Sequence, residues 1–182
     1  MVISFKEKFQ KLSIMDQRQL SDFLIKIGAI YPYPFQGYFV AEYNGSILSV
    51  MVLKWLKQNR PKIKCQYLRA SKYGWLNLIK TLFGLSIIHL IKTKKGVCYI
   101  EYIAVKPGTQ GKGIGTKLLK FGKTFAIKNG FEKYTLYVSS FNKKAVKLYT
   151  RLGFKIEKSE NSYLMKLMFG IRIWYYMSQS IE

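Results

Sequence analysis

The chain has 182 residues, of which 49% are hydrophobic and 16% aromatic, so its length and composition suit one compact domain with a buried core. Its formal net charge of +22, from 31 basic and 9 acidic residues, predicts a surface that attracts anions such as a cofactor phosphate, nucleic acid or acidic lipid. The lysines are scattered along the chain, so a general bias in composition explains the charge equally well. Cys65, Cys98 and His89 lack metal-ligand spacing, which argues against a zinc site and a disulfide framework.

The sequence shows no pattern typical of a targeting or membrane segment. Residues 1–11 interleave lysine and glutamate with apolar residues, unlike the apolar stretch of a signal peptide. The longest apolar region, residues 75–91, is interrupted by polar residues and is shorter than the roughly 20 residues that span a bilayer. We therefore expect a cytoplasmic protein.

The N-terminal part predicts helices followed by a β-hairpin. Between residues 5 and 27, apolar residues recur mostly at three- and four-residue steps, which is typical of one or two amphipathic helices. Residues 37–43 and 47–55 are rich in β-forming residues, and Asn44-Gly45 between them favours the positive φ angles of a tight turn.

Residues 57–96 predict a basic loop followed by an apolar helix. This helix either packs its apolar face on the domain or, with its flanking lysines, lies on a membrane surface or a partner. Residues 97–105 are then almost wholly apolar, as expected of a central strand that is covered on both faces. Pro107 ends this strand.

The remaining elements alternate between helix and strand. The pattern predicts helices over residues 114–127 and 142–152, and strands over residues 134–138, 154–157 and 163–169. The aromatic segment 171–177 has no assigned role and either adds a strand or forms an oligomer contact, such as that of a homodimer. The order predicts a mixed α/β fold in a single domain, residues 1–182, with a helical insertion at 57–96 and a C-terminal extension at 170–182.

The segment Gln110-Gly111-Lys112-Gly113-Ile114-Gly115-Thr116 lies between the buried strand and a helix start. The first N–H groups of a helix lack backbone partners and attract a phosphate, and glycines let the backbone approach it. The alternative is an ordinary flexible turn. Thr116 stands where a dinucleotide fingerprint needs its third glycine, and Gly122-Lys123-Thr124 falls inside the predicted helix, so neither this fingerprint nor a P-loop fits.

Two motifs together resemble the GNAT superfamily of N-acetyltransferases. Residues 103–107 followed by Gln110-x-x-Gly113-x-Gly115 are similar to its acetyl-coenzyme A motif, and Asn142-x-x-Ala145-x-x-x-Tyr149-x-x-x-Gly153-Phe154 is similar to its second motif. The resemblance implies an α/β GNAT fold: a mixed central sheet with helices on both faces, whose fourth and fifth strands, here 97–105 and 134–138, splay apart. This chain departs from the family by inserting residues 57–96 between the third and fourth strands.

The resemblance also implies where acetyl-coenzyme A binds, with no metal required. The backbone of Ile103 and Val105 would bond the pantetheine amides, the glycine-rich segment would hold the pyrophosphate, and Asn142 would contact the cofactor from the last helix. The implied cofactor-binding residues are Ile103, Ala104, Val105, Gln110, Gly111, Lys112, Gly113, Ile114, Gly115, Thr116 and Asn142.

The implied reaction is direct attack of an amine on the thioester, which needs proximity, loss of an amine proton and a proton for the departing thiolate. Tyr149 matches the family's general acid, although it is also explained as a helix residue packed on the sheet. Glu101 interrupts an apolar strand and is a candidate base, or alternatively pairs with a lysine. Tyr99 and Tyr102 are weaker candidates, and His89 is better explained as a packed residue.

The acceptor is a small-molecule amine or a protein amine that the sequence does not identify. The cationic composition argues weakly against positively charged acceptors unless an acidic patch is local. An alternative function is a coenzyme A-binding module that uses a basic surface for contact with RNA, the ribosome or a membrane. The presence of Tyr149 and Asn142 at their motif positions favours the enzyme.

Overall fold

The computed structural model describes residues 25–26, 35–59, 75 and 93–181. Residues 36–58 and 93–182 group into one compact unit, and residues 1–35 and 59–92 into another. The helices predicted within 5–27 and 57–96 lie outside the described residues, except that Ile25, Lys26 and Trp75 are helical. The interpretation of residues 1–182 as a single domain stays a prediction.

The described part of the larger unit is a six-stranded sheet with the strand order β1-β2-β3-β4-β6-β5. Strands β3 and β4 pair in parallel, and all other neighbours are antiparallel. The predicted mixed sheet is therefore confirmed. The strands are β1 Tyr38–Tyr43, β2 Ser46–Lys54, β3 Val97–Val105, β4 Lys133–Ser139, β5 Lys155–Asn161 and β6 Ile173–Ser180.

The predicted hairpin is confirmed by the pairing of β1 with β2 and by the turn between them. Asn44 and Gly45 have φ angles of 47° and 72°. Two consecutive positive φ values match the right-handed twist of the flanking strands, which is why an Asn-Gly dipeptide is favoured here.

Helix α1, Ile114–Lys128, packs on one face of the sheet through Leu118 and Leu119, which are buried together with Met51 and Leu136. Gly122 packs directly against side chains of the strands, because a Cβ at this position would overlap the Tyr134 hydroxyl and the end of the Met51 side chain. Gly122-Lys123-Thr124 therefore lies inside a helix, as the sequence predicts, and its glycine serves packing.

Helix α2, Lys143–Arg151, packs on the same hydrophobic core, with Leu148 and Tyr149 among its contacting residues. Its first turn is capped by Asn142, whose Oδ1 accepts a hydrogen bond from the Ala145 N–H at 3.1 Å. Gly153 follows the helix with a φ of 91°, which ends it as predicted.

The prediction of a strand over residues 163–169 is wrong, because this segment forms helix α3, Tyr163–Phe169. Ser162 caps the helix by accepting a bond from the Met165 N–H at 3.2 Å, and Gly170 ends it in the left-handed region with a φ of 70°. Leucine, methionine and lysine are good helix formers, and a short apolar run does not distinguish helix from strand by periodicity alone. The last strand is instead β6, which lies between β4 and β5.

Within the described residues, no helix combines the length and apolar character needed to cross a membrane.

Candidate active site

The loop between β3 and α1 presents open backbone at the start of the helix. Gly108, Gly111 and Gly113 have φ angles of 81°, 80° and 77°, and a Cβ at any of them would meet no atom within 4 Å. Gly113 is the N-cap of α1 and supplies no side-chain cap. The first N–H groups of the helix therefore face free space without a capping side chain, which is the arrangement that suits a phosphate.

Other residues of this segment fix the loop or flank it. Thr109 closes it by donating from its N–H and its hydroxyl to the Lys106 carbonyl, at 3.1 and 2.7 Å. Gly115 lies against β3, since its Cβ would be 3.2 Å from Val105 Cγ2. The predicted phosphate residues Gln110, Gly111, Lys112 and Gly113 are exposed, and Ile114 and Thr116 are half-buried in the first turn of α1.

Strands β3 and β4 pair over only four positions, from Val97 opposite Lys133 to Ile100 opposite Leu136. Beyond this point β3 continues to Val105 and β4 to Ser139, each along its other neighbour. The two strands thus separate from Ile100 onward, and we call the resulting gap the split. This is the opening predicted from the family resemblance.

The backbone of the second half of β3 alternates between β2 and the split. The Lys106 N–H donates to the Leu48 carbonyl at 2.8 Å, and the Ala104 carbonyl accepts from the Ser49 hydroxyl at 2.8 Å, so both residues turn toward β2. Because alternate residues of a strand point their backbone groups in opposite directions, those of Ile103 and Val105 face the split. Of the three predicted residues on β3, Ala104 is the one directed away from it.

Glu101 is the extra residue of a β-bulge at the start of the split. Val52 pairs with Tyr102 and Leu53 with Ile100, so Glu101 is one additional residue of β3 between two consecutive register pairs. Its side chain is half-buried. Its charge adds to burial in raising the pKa of Tyr99, so the two side chains lie near each other.

Tyr149 reaches the same region from α2. Its ring contacts Phe154 edge-on, with 5.8 Å between centroids, and burial raises the pKa of its phenol to about 12. The phenol also adds to the raised pKa values of Tyr99 and Tyr134, whose side chains lie on opposite faces of the sheet. Both tyrosines belong to the paired stretch of β3 and β4, so Tyr149 lies beside that stretch, before the split begins.

Asn142, the predicted cofactor contact on α2, is exposed and also serves as the helix cap. The cap uses only the side-chain oxygen, so the Nδ2 group keeps its donors. This structural role went unrecognised in the sequence, although Asn before a helical pattern is a common capping signal.

A set of tyrosines on the other face of the sheet was largely missed from the sequence. Because Tyr134, Leu136 and Val138 of β4 face α1, the alternate residue Tyr137 lies on the opposite face. Its ring lies 6.3 Å from that of Tyr99 and 5.1 Å from that of Tyr176, between centroids. We call the surface formed by Tyr99, Tyr137 and Tyr176 the tyrosine face.

The structure offers no metal centre among the residues it describes, since no three His, Cys, Asp or Glu side chains come together there. Cys98 is a buried free thiol, and burial raises its pKa to about 12, which makes it unreactive. Cys65 and His89 lie outside the described residues.

Comparison with known proteins finds relatives that resemble short segments of this chain. Over 55 residues the chain is 46% identical to thialysine N-epsilon-acetyltransferase of Sus scrofa, covering 30% of this chain and 32% of that protein. Over 73 residues it is 33% identical to mycothiol acetyltransferase of Streptomyces avermitilis, covering 40% of this chain and 24% of that protein. The chain thus matches about a third or less of these relatives' own lengths.

A solved structure and a family model extend the likeness to most of the chain. A Bacillus subtilis acetyltransferase in complex with CoA superposes with a TM-score of 0.55 at 14% identity, covering 97% of this chain and 93% of that one. At this identity the likeness shows the fold alone. The model of the acetyltransferase (GNAT) family matches residues 7–154, which is more than half of the chain. The chain therefore belongs to the acetyltransferase (GNAT) family.

Proposed function

We propose that this chain is an N-acetyltransferase that binds acetyl-coenzyme A along the split and passes the acetyl group to an amine. The observation that carries the proposal is the split itself: it begins near the phenol of Tyr149, continues along the outward backbone of Ile103 and Val105, and leads to the uncapped start of α1. The relatives' names and the CoA-bound structural neighbour support the same choice.

The residues present fit such a cosubstrate. The exposed backbone of the segment from Gln110 to Thr116 suits a pyrophosphate, because the start of α1 has no side-chain cap and the glycines present no Cβ. The outward backbone groups of Ile103 and Val105 suit the amides of an extended arm that would lie where β4 has parted from β3. Asn142 would contact the cofactor through its Nδ2 group, which the helix cap does not use.

When bound, acetyl-coenzyme A supplies an activated acyl group. The protein orients the reactants, accepts a proton from the amine and donates a hydrogen bond to the departing sulfur. The amine nitrogen forms a bond to the acetyl carbon, the carbon–sulfur bond breaks, and the proton lost by the amine passes to Glu101, directly or through water. Glu101 is suited to this because it lies at the first position beyond the last paired residues.

Tyr149 would serve the departing sulfur. A pKa of about 12 keeps the phenol protonated at neutral pH, as a donor must be. A thiol such as that of cysteine has an ordinary pKa of about 8.5, so complete transfer from this phenol is uphill. Tyr149 therefore acts mainly by donating a hydrogen bond to the sulfur as negative charge develops there.

The test combines binding and turnover. Calorimetry should show acetyl-coenzyme A binding to the wild type, and a panel of amines is then screened for coenzyme A release. Tyr149→Phe should lower kcat by about 100-fold, the usual cost of losing one donor to developing charge, with cofactor binding unchanged. Tyr43→Phe, an exposed phenol on β1, is the matched control and should keep full activity.

A folded wild type that binds no acetyl-coenzyme A would refute the proposal. If Tyr149→Phe retains the wild-type kcat, the enzyme assignment survives but the role of Tyr149 does not. Glu101→Gln tests in the same assay whether Glu101 is the base. A base is needed only for the chemical step, so its loss should lower kcat without changing the affinity for the cofactor.

A further inference from the structure

The tyrosine face has the aromatic content of a cation-binding surface. The rings of Tyr137 and Tyr176 are half-buried and lie 5.1 Å apart, with Tyr99 adjoining Tyr137 across the start of the split. Tyrosine rings attract a positive charge placed over their faces, by about 0.5–1 kcal/mol at exposed sites. Aromatic rings alone do not select a cation, so the charges around them decide.

A carboxylate is fixed on this face by a tyrosine. The Tyr137 hydroxyl donates to Glu160 Oε1 at 2.8 Å, so the side chains of β4 and β5 meet over β6, the strand between them. Burial and this hydrogen bond both raise the pKa of Tyr137, so the phenol stays a donor and the carboxylate keeps its position. One Glu160 oxygen is engaged by the tyrosine, and the side chain is exposed.

The other carboxylate of β5 is already neutralised, which distinguishes it from Glu160. Glu157 accepts from the Lys133 ammonium at 3.1 Å and from the Ser178 hydroxyl at 2.5 Å. Within the described residues this is the ion pair that the structure shows, and Glu160 is not part of it. Glu160 thus places a carboxylate with no ion-pair partner among the described residues on a protein whose net charge is +22.

A buried hydroxyl on the same face also has no partner. Thr135 lies two residues before Tyr137, and therefore on the same side of β4, opposite Tyr99 in the register. It is fully buried, and its Oγ1 makes no hydrogen bond to any described residue. A buried hydroxyl without a partner marks a place where a polar group belonging to a ligand or to water completes the structure.

We propose that the tyrosine face, with Glu160, binds a second positive charge on the acceptor, so that the preferred substrate is an amine that also carries a distant ammonium group. The inference rests on the proposed acetyl transfer, because the second charge matters only if an amine reacts at the split. It supplies the local acidic patch without which a strongly basic protein would repel such a substrate.

The sheet sets the length of that substrate. Neighbouring strands lie about 4.8 Å apart, and the Glu160 carboxylate meets the Tyr137 phenol over β6, one strand beyond β4, so the carboxylate lies roughly 7 to 10 Å from the split. A chain of four or five carbons spans this distance between two nitrogens. Lys158 lies opposite Tyr176 in the register, two residues before Glu160 on the same side of β5, so its positive charge should weaken the preference.

The experiment compares 1,5-diaminopentane with 1-aminopentane, which match in length and differ in the second charge. Dissociation constants are measured by calorimetry with the coenzyme A-saturated wild-type protein, so that the readout does not depend on turnover. We expect the diamine to bind about five- to tenfold more tightly, with a difference that shrinks as salt is added. The ratio of the two kcat/KM values should follow the same preference.

Variants assign the preference to residues. Glu160→Gln should abolish it, whereas Glu157→Gln, which alters the same strand but a neutralised carboxylate, should leave it intact. Lys158→Ala should increase it. A hexapeptide with a free N-terminus and one lysine supplies the same two charges. If it binds more tightly than the diamine and its binding also depends on Glu160, the substrate is a protein.

The proposal is overturned if the diamine and the monoamine bind equally, if neither binds, or if the preference survives in Glu160→Gln. These outcomes are separate from failure of the proposed function, which shows as absence of acetyl-coenzyme A binding in a parallel titration. If the protein binds the diamine in a manner that depends on Glu160 but binds no acetyl-coenzyme A, the proposed cation site is supported and the proposed acetyltransferase function is refuted.

Discussion

Gly113 and Gly130 form a matched pair for testing the phosphate site. Both glycines have left-handed backbone, with φ angles of 77° and 71°, and at both an added Cβ meets no atom within 4 Å. They flank the same helix, Gly113 at the start of α1 and Gly130 just past its end. Changing either to alanine therefore imposes the same backbone strain, and only one change lies where the pyrophosphate is proposed to bind.

The expected magnitudes separate stability from binding. A non-glycine residue in the left-handed region costs about 1–2 kcal/mol, which for a chain of this size lowers Tm by roughly 2–8 °C in both variants. In Gly113→Ala the methyl group also occupies the space from which a phosphate oxygen would approach the helix N–H groups. Losing one charge-assisted contact of this kind weakens binding by about 10- to 100-fold.

Calorimetric titration with acetyl-coenzyme A measures this difference directly, and thermal unfolding with and without the ligand gives an independent value. We expect Gly130→Ala to bind like the wild type despite its lower Tm, and Gly113→Ala to lose both affinity and most of the ligand-induced rise in Tm. Equal affinity of the two variants would show that the loop before α1 does not hold the phosphate.

Three further predictions concern stability. Gly122→Ala should destabilise the fold by about 1–3 kcal/mol because the new methyl overlaps the Tyr134 hydroxyl, and Tyr134→Phe should recover part of the loss in a double-mutant cycle of urea unfolding. The Ser178 hydroxyl and the Lys133 ammonium hold the pKa of Glu157 below its ordinary value, so its contribution is present above that value and is lost as pH falls through the lowered pKa. Glu157→Gln should accordingly reduce the loss of Tm between neutral and acidic pH, and an unchanged profile would contradict this. Asn142→Ala should cost about 1 kcal/mol through loss of the α2 cap, measured by denaturant unfolding, with Asn142→Asp as the variant that keeps it.

The sequence predicts the elements whose signals are local. Asn44-Gly45 sets the hairpin turn by its own φ preferences, and the glycine-rich segment marks the junction of β3 and α1 because that geometry needs glycine. The pattern of apolar residues from 114 to 127 likewise predicts α1 to within one residue of its observed end at Lys128. Each of these features depends on residues that are neighbours in the chain.

The predicted secondary structure of residues 163–169 was wrong, and the position of the last strand was not predicted, because both depend on contacts between residues that are distant in the chain. Residues 163–169 and 173–180 are both apolar and aromatic, and only the cap of Ser162 and the stop at Gly170 distinguish helix from strand. The place of β6 between β4 and β5 follows from long-range pairing, such as Leu136 with Met177, which no short window reveals. The tyrosine face depends on this pairing, so Tyr176 could not be recognised as a site residue.

The β-bulge at Glu101 lies at the start of the split and supplies the candidate base. A bulge bends a strand and increases its twist, and the bulge at Glu101 comes directly after Ile100, the last residue of β3 that pairs with β4. From there β3 follows β2, while β4 stays with β6 up to the pairing of Ser139 with Trp174. Because the extra residue is a glutamate, the bulge places a carboxylate at the point where the sheet opens. Deleting Glu101 should therefore restore regular pairing and close the split, whereas Glu101→Gln should keep the split and remove only the charge.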